Sequence, residues 1–303
     1  MKPARTLAAA LAEEVLVLDG GLSNQLEAQG CDLSDALWSA RLLADAPEQI
    51  EAAHAAYARA GAQVLITSSY QATFEGFARR GTDREEAARL LARSVELARA
   101  AVERTEGEIW VAASVGPYGA MLADGSEYRG RYGLTAAELA RFHRPRVEVL
   151  AQAGPDVLAL ETVPDADEAE GLLRAVEGCG VPVWLSYTVD GRRTRAGQRL
   201  EDAFGLAAGV DQVVAVGVNC CDPADAGPAA EIAASVTGKP VVVYPNSGER
   251  WDAGARGWHG GATFDPATTA AWRTAGARLI GGCCRVGPDA IAALAGTVKA
   301  EGL

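Results

Sequence analysis

The sequence predicts an α/β fold in which a parallel sheet closes into a single (β/α)8 TIM barrel. Short apolar, β-rich runs alternate with Ala-, Leu- and Glu-rich helical segments, which is typical of parallel strands buried on both faces. This alternation repeats eight times without the change of composition that would indicate a second domain. We therefore expect residues 1–303 to form one barrel domain, and an open doubly wound sheet is the alternative fold.

The predicted strands follow one another at regular intervals along the chain. They lie at 15–20, 64–69, 109–115, 156–161, 181–188, 213–219, 241–246 and 277–282. Helical segments such as 84–107 and 136–154 lie between them, with apolar residues at helical spacing. The longest connections, 116–133 and 247–265, are rich in Gly, Asp and aromatic residues, and they predict a lid or binding loop rather than helix.

The composition indicates an ordinary globular protein and excludes two kinds of partner. Hydrophobic residues make up 49% of the chain and the net charge is −12, so no basic surface for nucleic acid is expected. No apolar run approaches the roughly 18 residues of a transmembrane helix. Glu13 and Glu14 interrupt the N-terminal segment before it could resemble a signal peptide. We predict a cytoplasmic protein, either a monomer or a dimer, that binds neither nucleic acid nor membrane.

Polar and reactive side chains occur at the carboxyl ends of the predicted strands. A barrel brings these ends to one face, where barrel enzymes have their active sites. The residues are Asp19, Ser69, Gln71, Ser114, Glu161, Ser186, Thr188, Asn219, Cys220, Asn246, Cys283 and Cys284. We therefore expect residues far apart in the chain to share one barrel mouth.

Three cysteines of this set predict a zinc site. Cys220 ends the sixth strand and the pair Cys283 and Cys284 follows the eighth, so only one strand separates them in a barrel. Zinc favours thiolate ligands, and three of them leave one tetrahedral position for water or substrate. The alternative is that these are buried apolar cysteines without a metal.

Strand geometry distinguishes the remaining cysteines from these three. Adjacent residues of a strand point to opposite sides, so Cys221 is not expected to reach the same metal as its neighbour. Gly281 and Gly282 relax the backbone before the second pair, which allows both of those cysteines to turn inward. Cys31 and Cys179 stand alone in the sequence and are interpreted as packing residues.

A zinc ion held by three thiolates suits the activation of a thiol. Its ligands carry much negative charge, so it generates hydroxide less well than a zinc ion held by neutral histidines. A thiol has a pKa of about 8.5, and coordination deprotonates it to the nucleophilic thiolate. The predicted chemistry is therefore activation of a substrate thiol at the open metal position, rather than attack by a protein nucleophile.

Four motifs resemble those of the homocysteine S-methyltransferase family. They are VGVNC at 216–220, GGCC at 281–284, DGG at 19–21 and ET at 161–162. The resemblance extends from about Val15 to Leu294, and segments 114–130 and 242–249 look like the subgroup that uses S-methylmethionine. It implies a zinc-dependent barrel that transfers a methyl group from S-methylmethionine, or from S-adenosylmethionine, to homocysteine and so forms methionine.

The resemblance also implies roles for individual residues. Zinc would be held by Cys220, Cys283 and Cys284. The ammonium group of homocysteine would be held by Asp19 and Glu161, which are acceptors suited to a cation. Its carboxylate would meet backbone N–H groups around Gly20 and Gly21, where the absence of Cβ allows close approach. Further candidates for substrate binding are Ser69, Gln71, Asn219 and Asn246.

The methyl donor needs a different kind of subsite. A sulfonium loses its positive charge as the methyl group leaves, so we expect aromatic faces and a carboxylate around it. The aromatic candidates are Trp38, Tyr70, Tyr118 and Tyr128. No glycine-rich nucleotide fingerprint is present, which favours a compact donor over S-adenosylmethionine. A betaine-like donor, another thiol or selenol acceptor, and a non-catalytic zinc- or thiol-binding barrel remain alternatives.

Overall fold

A computed structural model of the chain, described over residues 2–34, 37–252 and 257–301, contains eight parallel strands in one sheet. The strands are β1 (Leu16–Val17), β2 (Val64–Ile66), β3 (Trp110–Val115), β4 (Val157–Val163), β5 (Val183–Tyr187), β6 (Val213–Asn219), β7 (Val241–Tyr244) and β8 (Ala277–Ile280). Each one overlaps one of the predicted strands. The eightfold repeat in the sequence therefore corresponds to the eight strands of the sheet.

Backbone contacts between the first two strands close the sheet into a ring. Along the sheet, neighbouring strands pair in parallel in the order β1, β8, β7, β6, β5, β4, β3, β2. The two ends meet at a parallel bridge between Leu18 and Val64. Across this seam the Asp19 N–H donates to the Val64 carbonyl at 3.1 Å, and the Gln63 N–H donates to the Val17 carbonyl at 2.7 Å. The barrel is confirmed, and the open doubly wound sheet is excluded.

Helices surround the barrel and connect its strands. The α-helices are α1 (Leu7–Glu13), α2 (Leu22–Ala28), α3 (Leu42–Asp45), α4 (Pro47–Arg59), α5 (Phe74–Ala78), α6 (Arg84–Glu103), α7 (Tyr118–Leu122), α8 (Ala136–Gln152), α9 (Ala166–Val176), α10 (Leu200–Gly205), α11 (Pro223–Thr237), α12 (Thr269–Thr274) and α13 (Pro288–Glu301). Local sequence explains several starts: Asp83 caps α6, and Thr135 with Glu138 forms a capping box on α8. In the described part of the chain, none of the helices has both the length and the apolarity to span a membrane.

The core has two layers, and the inner one fills the lower part of the barrel. Leu16, Trp110 and Trp184 point inward, whereas Leu7 and Leu11 of α1 pack against this inner layer. The alternate strand residues point outward and pack on the helices in a larger apolar cluster. Because side chains fill the barrel interior, ligand space remains at the mouth formed by the carboxyl ends of the strands.

The two long connections differ from each other in structure. Segment 116–133 contains α7 and a 3-10 turn at Ser126–Tyr128, so the expectation that it lacks helix is wrong. A tertiary contact explains the helix: the buried Glu168 carboxylate on α9 accepts the N–H of Tyr118, the first residue of α7. The other connection forms an antiparallel hairpin of Arg250–Asp252 with Gly257–His259, and residues 253–256 lie outside the described residues.

Gly217 marks a close approach between two barrel strands, and its substitution is the first test of this packing. A Cβ at Gly217 would lie 1.8 Å from the backbone oxygen of Val242 on β7. We expect Gly217→Ala to lower the free energy of unfolding by about 3 kcal/mol, because backbone must move to admit the methyl group. Urea denaturation of the variant measures this loss.

Gly209 provides a matched control for that measurement, because a Cβ there would meet no atom within 4 Å. We expect Gly209→Ala to change the free energy of unfolding by less than about 0.5 kcal/mol. A Gly217→Ala variant as stable as this control would contradict the close approach of β6 and β7.

Candidate active site

The three predicted zinc ligands come together at the barrel mouth. The sulfur atoms of Cys220, Cys283 and Cys284 all lie within 4.8 Å of one another, and those of Cys220 and Cys284 are 3.7 Å apart. Two sulfurs bound at about 2.3 Å to a tetrahedral zinc would be separated by about 3.8 Å. The spacing and the chemistry of the three thiols are therefore compatible with a metal. No other group of potential metal ligands occurs among the residues that the structure describes.

Left-handed backbone occurs at both cysteine turns, at Cys220 itself and directly after Cys284. Cys220 has φ of 51° and Arg285 has φ of 67°, a region that residues with a side chain rarely adopt. Cys221 points away and packs in the outer apolar layer, as strand alternation predicts. Gly281 and Gly282 have a different function from the predicted one, because a Cβ at Gly282 would lie 2.2 Å from Val286. The glycines permit close packing, while the unusual φ angles lie at the cysteine turns.

The electrostatics of the cluster favour a bound cation. Hydrogen bonds from Cys220 and Cys283 hold the pKa of the Cys284 thiol well below its usual value. The pKa of Cys283 is raised well above its usual value by hydrogen bonding to Cys220 and Cys284 and by burial. One thiolate therefore forms readily, but the accumulation of further negative charge needs a nearby positive ion.

Two buried carboxyl groups lie close to the cluster. Glu161 lies near the carboxyl end of β4. Its carboxylate accepts hydrogen bonds from the Ser114 hydroxyl and from the Tyr244 hydroxyl, the latter at 3.0 Å. Asp19 accepts the Ile66 N–H at 2.8 Å through Oδ2, whereas its buried Oδ1 has no hydrogen-bond partner. Burial raises the pKa of Glu161 to about 7 and that of Asp19 well above its usual range. A bound ammonium would supply both a proton donor and the missing positive charge.

A cavity of about 120 Å³ extends from the cysteines toward α2 and toward segment 116–133, which we call the lid. It is lined by Gly20, Gly21, Leu22, Ser23, Asn24, Ser39, Ile66, Thr67, Ser68, Tyr70, Gln71, Glu127, Tyr128, Glu161, Thr162, Tyr244, Gly282 and the three cysteines. Predicted site residues from six different parts of the chain therefore surround one space. Asp19 is not part of the lining, although the Glu161 carboxylate is near enough to add to the effect of burial in raising the pKa of Asp19.

Four other predicted residues do not line the cavity, and their side chains contact other protein groups instead. Ser69 donates to the Ser114 carbonyl at 2.8 Å, and Asn246 accepts the Cys284 N–H at 3.2 Å. Asn219 exchanges two hydrogen bonds of 2.7 Å with Thr162. The ring of Tyr118 packs on Tyr132 and Phe142. Their side chains are already occupied by protein groups, and the side chain of Trp38 lies outside the described residues.

The lid places an aromatic residue against the cysteine cluster. The Tyr128 hydroxyl lies 3.1 Å from the sulfur of Cys220. Tyr70 packs closely beneath the start of the lid, because a Cβ at Gly116 would lie 2.7 Å from its ring. Two of the four predicted aromatic donor-binding residues therefore line the cavity.

Sequence reasoning missed two functional candidates, Glu127 and Tyr244. Tyr244 ends β7, and its hydroxyl contacts Ser186 at 2.8 Å as well as Glu161. Its position near the carboxyl end of a predicted strand was the feature of the sequence that could have identified it. Glu127 is 6% exposed, lines the cavity, and has a pKa raised to about 7 by burial. The expectation of a carboxylate near the donor pointed to this kind of residue without identifying it.

The closed ring of strands with three thiols and buried carboxylates at its mouth defines the class of protein, a (β/α)8-barrel enzyme whose site can hold a metal through cysteine sulfur. The family model described as homocysteine S-methyltransferase matches residues 16–298. The chain belongs to the homocysteine S-methyltransferase family.

Individual relatives agree with this assignment over nearly the whole chain. A homocysteine S-methyltransferase of Escherichia coli (strain K12) is 46% identical, with 93% of this chain and 94% of the relative covered. Homocysteine S-methyltransferase 4 of Zea mays is also 46% identical, over 93% of this chain and 89% of the relative. The metallated form of the homocysteine methyltransferase MmuM from Escherichia coli superposes with a TM-score of 0.86 at 44% identity, covering 95% of this chain and 98% of that one.

Proposed function

We propose that this enzyme transfers a methyl group from S-methylmethionine to homocysteine, with zinc bound by the three clustered cysteines. The bond between the donor sulfur and its methyl group breaks, and its electron pair stays on that sulfur. The homocysteine sulfur forms the new bond after its proton has been released. Both products are methionine. The observation that supports this reaction best is the cluster of three thiols opening into a cavity with buried carboxylates.

The thiol set is the basis for assigning zinc. Cys220, Cys283 and Cys284 would hold the ion, and their spacing fits tetrahedral coordination. When bound, zinc would supply the positive charge that keeps the homocysteine thiol deprotonated and nucleophilic at neutral pH. The protein therefore needs no general base close to the acceptor sulfur.

The carboxylates and the start of α2 are proposed to orient homocysteine. Glu161 and Asp19 would bind its ammonium group, and the unpartnered Oδ1 of Asp19 supports that role. Gly21 is less suited to receive the carboxylate through its own N–H, which donates to the Val286 carbonyl at 2.9 Å. Gly20 also lines the cavity and keeps the predicted role of presenting backbone to the carboxylate.

The size of the cavity supports a compact donor. Its volume of about 120 Å³ is close to that of one small amino acid and far below the roughly 300–1,000 Å³ of pockets for drug-sized ligands, so the mouth must widen to admit a donor beside homocysteine, and a compact donor requires the least widening. A methionine-sized sulfonium needs less room than S-adenosylmethionine, which carries a whole nucleoside. Alignment of two sulfurs on one methyl carbon in so confined a space would contribute several kcal/mol to catalysis.

A turnover assay tests the proposed reaction. Homocysteine is incubated with S-methylmethionine, S-adenosylmethionine or betaine, with and without a chelator, and methionine is measured. We expect S-methylmethionine to react fastest, because it is smaller than S-adenosylmethionine and because a sulfonium gives up its methyl group more readily than the quaternary ammonium of betaine does. Chelation should remove the activity, and Zn²⁺ but not Mg²⁺ should restore it, since Mg²⁺ prefers oxygen ligands.

Two results would contradict this proposal. Undiminished turnover in an enzyme shown by elemental analysis to lack metal would exclude the zinc assignment. Faster turnover with S-adenosylmethionine than with S-methylmethionine would exclude the donor assignment while leaving the acceptor and the metal in place.

A further inference from the structure

Glu127 occupies an unusual position in the lid. It belongs to the short 3-10 turn Ser126–Tyr128 that covers the mouth, yet it is only 6% exposed. Its Oε2 atom is buried and has no hydrogen-bond partner, and the residue lines the same cavity as Cys220. A buried carboxylate oxygen without a partner is costly, so its retention here indicates that a ligand satisfies it.

The charge of the cavity indicates what kind of ligand this is. Among the described residues that line it there is no Lys, Arg or His, whereas Glu161 and Glu127 both contribute carboxylates. The three cysteines add negative charge that a single divalent ion does not fully neutralise. The cavity therefore favours a ligand with positive charge.

The two carboxylates belong to different parts of the fold. Glu161 lies on a barrel strand and is held by Ser114 and Tyr244, on the side where Asp19 is buried. Glu127 lies on the lid beside Tyr128, whose hydroxyl is 3.1 Å from the Cys220 sulfur. Because the proposed acceptor is held by the barrel side of the mouth, the lid side remains for the donor.

We propose that Glu127 selects a cationic methyl donor by pairing its carboxylate with the donor sulfonium, between the rings of Tyr70 and Tyr128. This inference rests on the proposed function, because it needs a sulfonium donor at the site. The arrangement combines a carboxylate with aromatic faces, both of which stabilise a compact cation.

The pairing has a specific kinetic consequence. The sulfonium charge disappears as the methyl group leaves, so the carboxylate stabilises the bound donor more than the transition state. Removal of the carboxylate charge should therefore weaken donor binding without slowing the chemical step. A residue that only shaped the lid would not separate KM from kcat in this way.

The test compares Glu127→Gln with a matched surface variant, Glu148→Gln, whose carboxylate is exposed on α8. For Glu127→Gln we expect the KM of S-methylmethionine to rise about tenfold or more, which is typical of the loss of one charged contact. The KM of homocysteine should stay within about twofold, and kcat should be equal or higher. Glu127→Asp, which keeps the charge, should recover part of the donor affinity, and Glu148→Gln should behave as the unsubstituted enzyme.

A second substrate identifies the charge that Glu127 contacts. Dimethylsulfoniopropionate carries a sulfonium but no ammonium group, and it is measured as a substrate or as a competitive inhibitor of S-methylmethionine. We expect Glu127→Gln to weaken its binding by a similar factor. A loss confined to S-methylmethionine would overturn the sulfonium assignment, because the contact would then be with the ammonium group.

The remaining outcomes are distinguishable from failure of the proposed function. An unsubstituted enzyme that does not use S-methylmethionine would overturn the proposed donor and this assignment together. In an enzyme that does use it, an unchanged donor KM in Glu127→Gln, or an equal rise in the KM values of both substrates, would overturn the role of Glu127 alone. Melting temperature and zinc content of the variant verify that it is folded and loaded.

Discussion

Replacement of Cys283 by alanine is expected to abolish both metal binding and turnover. The variant would leave two thiols at the mouth, too few to hold zinc firmly while a position stays open for the substrate. Without the metal the homocysteine thiol stays largely protonated at neutral pH, so the loss should be about a thousandfold or more. Elemental analysis of the purified variant and methionine formation under saturating substrates measure the two effects.

Cys221→Ala is the matched control for this experiment. Cys221 has the same side chain and adjoins a proposed ligand, but it packs in the outer apolar layer away from the cluster. We expect a modest loss of stability from the smaller side chain, with metal content and kcat unchanged. Full turnover by a Cys283→Ala enzyme that contains no metal would refute the proposed role of the cluster.

Replacement of Glu161 by glutamine is expected to have the next largest effect, on the acceptor side of the site. Glutamine keeps the shape and one hydrogen-bond acceptor for Ser114 or Tyr244, but it removes the negative charge facing the proposed ammonium. We expect the KM of homocysteine to rise roughly 30- to 100-fold, because a charge-assisted contact in a buried site is worth about 2–3 kcal/mol. Initial rates measured against homocysteine concentration at saturating donor test this value.

The donor provides the internal control for Glu161→Gln. Its KM should change by less than about twofold, because the donor is proposed to lie on the lid side of the mouth near Glu127. Glu161→Gln should raise the KM of homocysteine and Glu127→Gln the KM of the donor, so the two variants test the two substrates separately. If Glu161→Gln raised the KM of the donor and left that of homocysteine unchanged, the proposed orientation of the two substrates would be reversed.

Strand-end position was the sequence signal that located the site. Apolar runs alternating with helical segments predicted the strands, and parallel closure then required their carboxyl ends to share one face. Cys220, Cys283, Cys284 and Glu161 all lie at that face and line one cavity. For these residues, position along a strand and chemical type were sufficient information.

The same signal did not distinguish residues that line the cavity from residues that do not. Gln71 lines the cavity and Ser69 does not, although both follow β2. Asn219 adjoins Cys220 in sequence and Asn246 follows the strand between the two cysteine turns, yet their side chains hold Thr162 and the Cys284 backbone. Which partner a polar side chain finds depends on contacts between segments far apart in the chain, and no local pattern encodes those contacts.

By itself, then, the sequence determined the number of strands, the common face of their carboxyl ends, and the cysteines and carboxylates able to meet there. Periodicity and residue chemistry are local properties, so they can be read without coordinates. Only the tertiary structure decided that Cys220 turns inward through a left-handed backbone, that Glu168 supports a helix in the lid, and that Glu127 is buried against the cavity. Each of these depends on packing between segments far apart in the chain, and tertiary packing routinely outweighs the local conformational preference of a few residues.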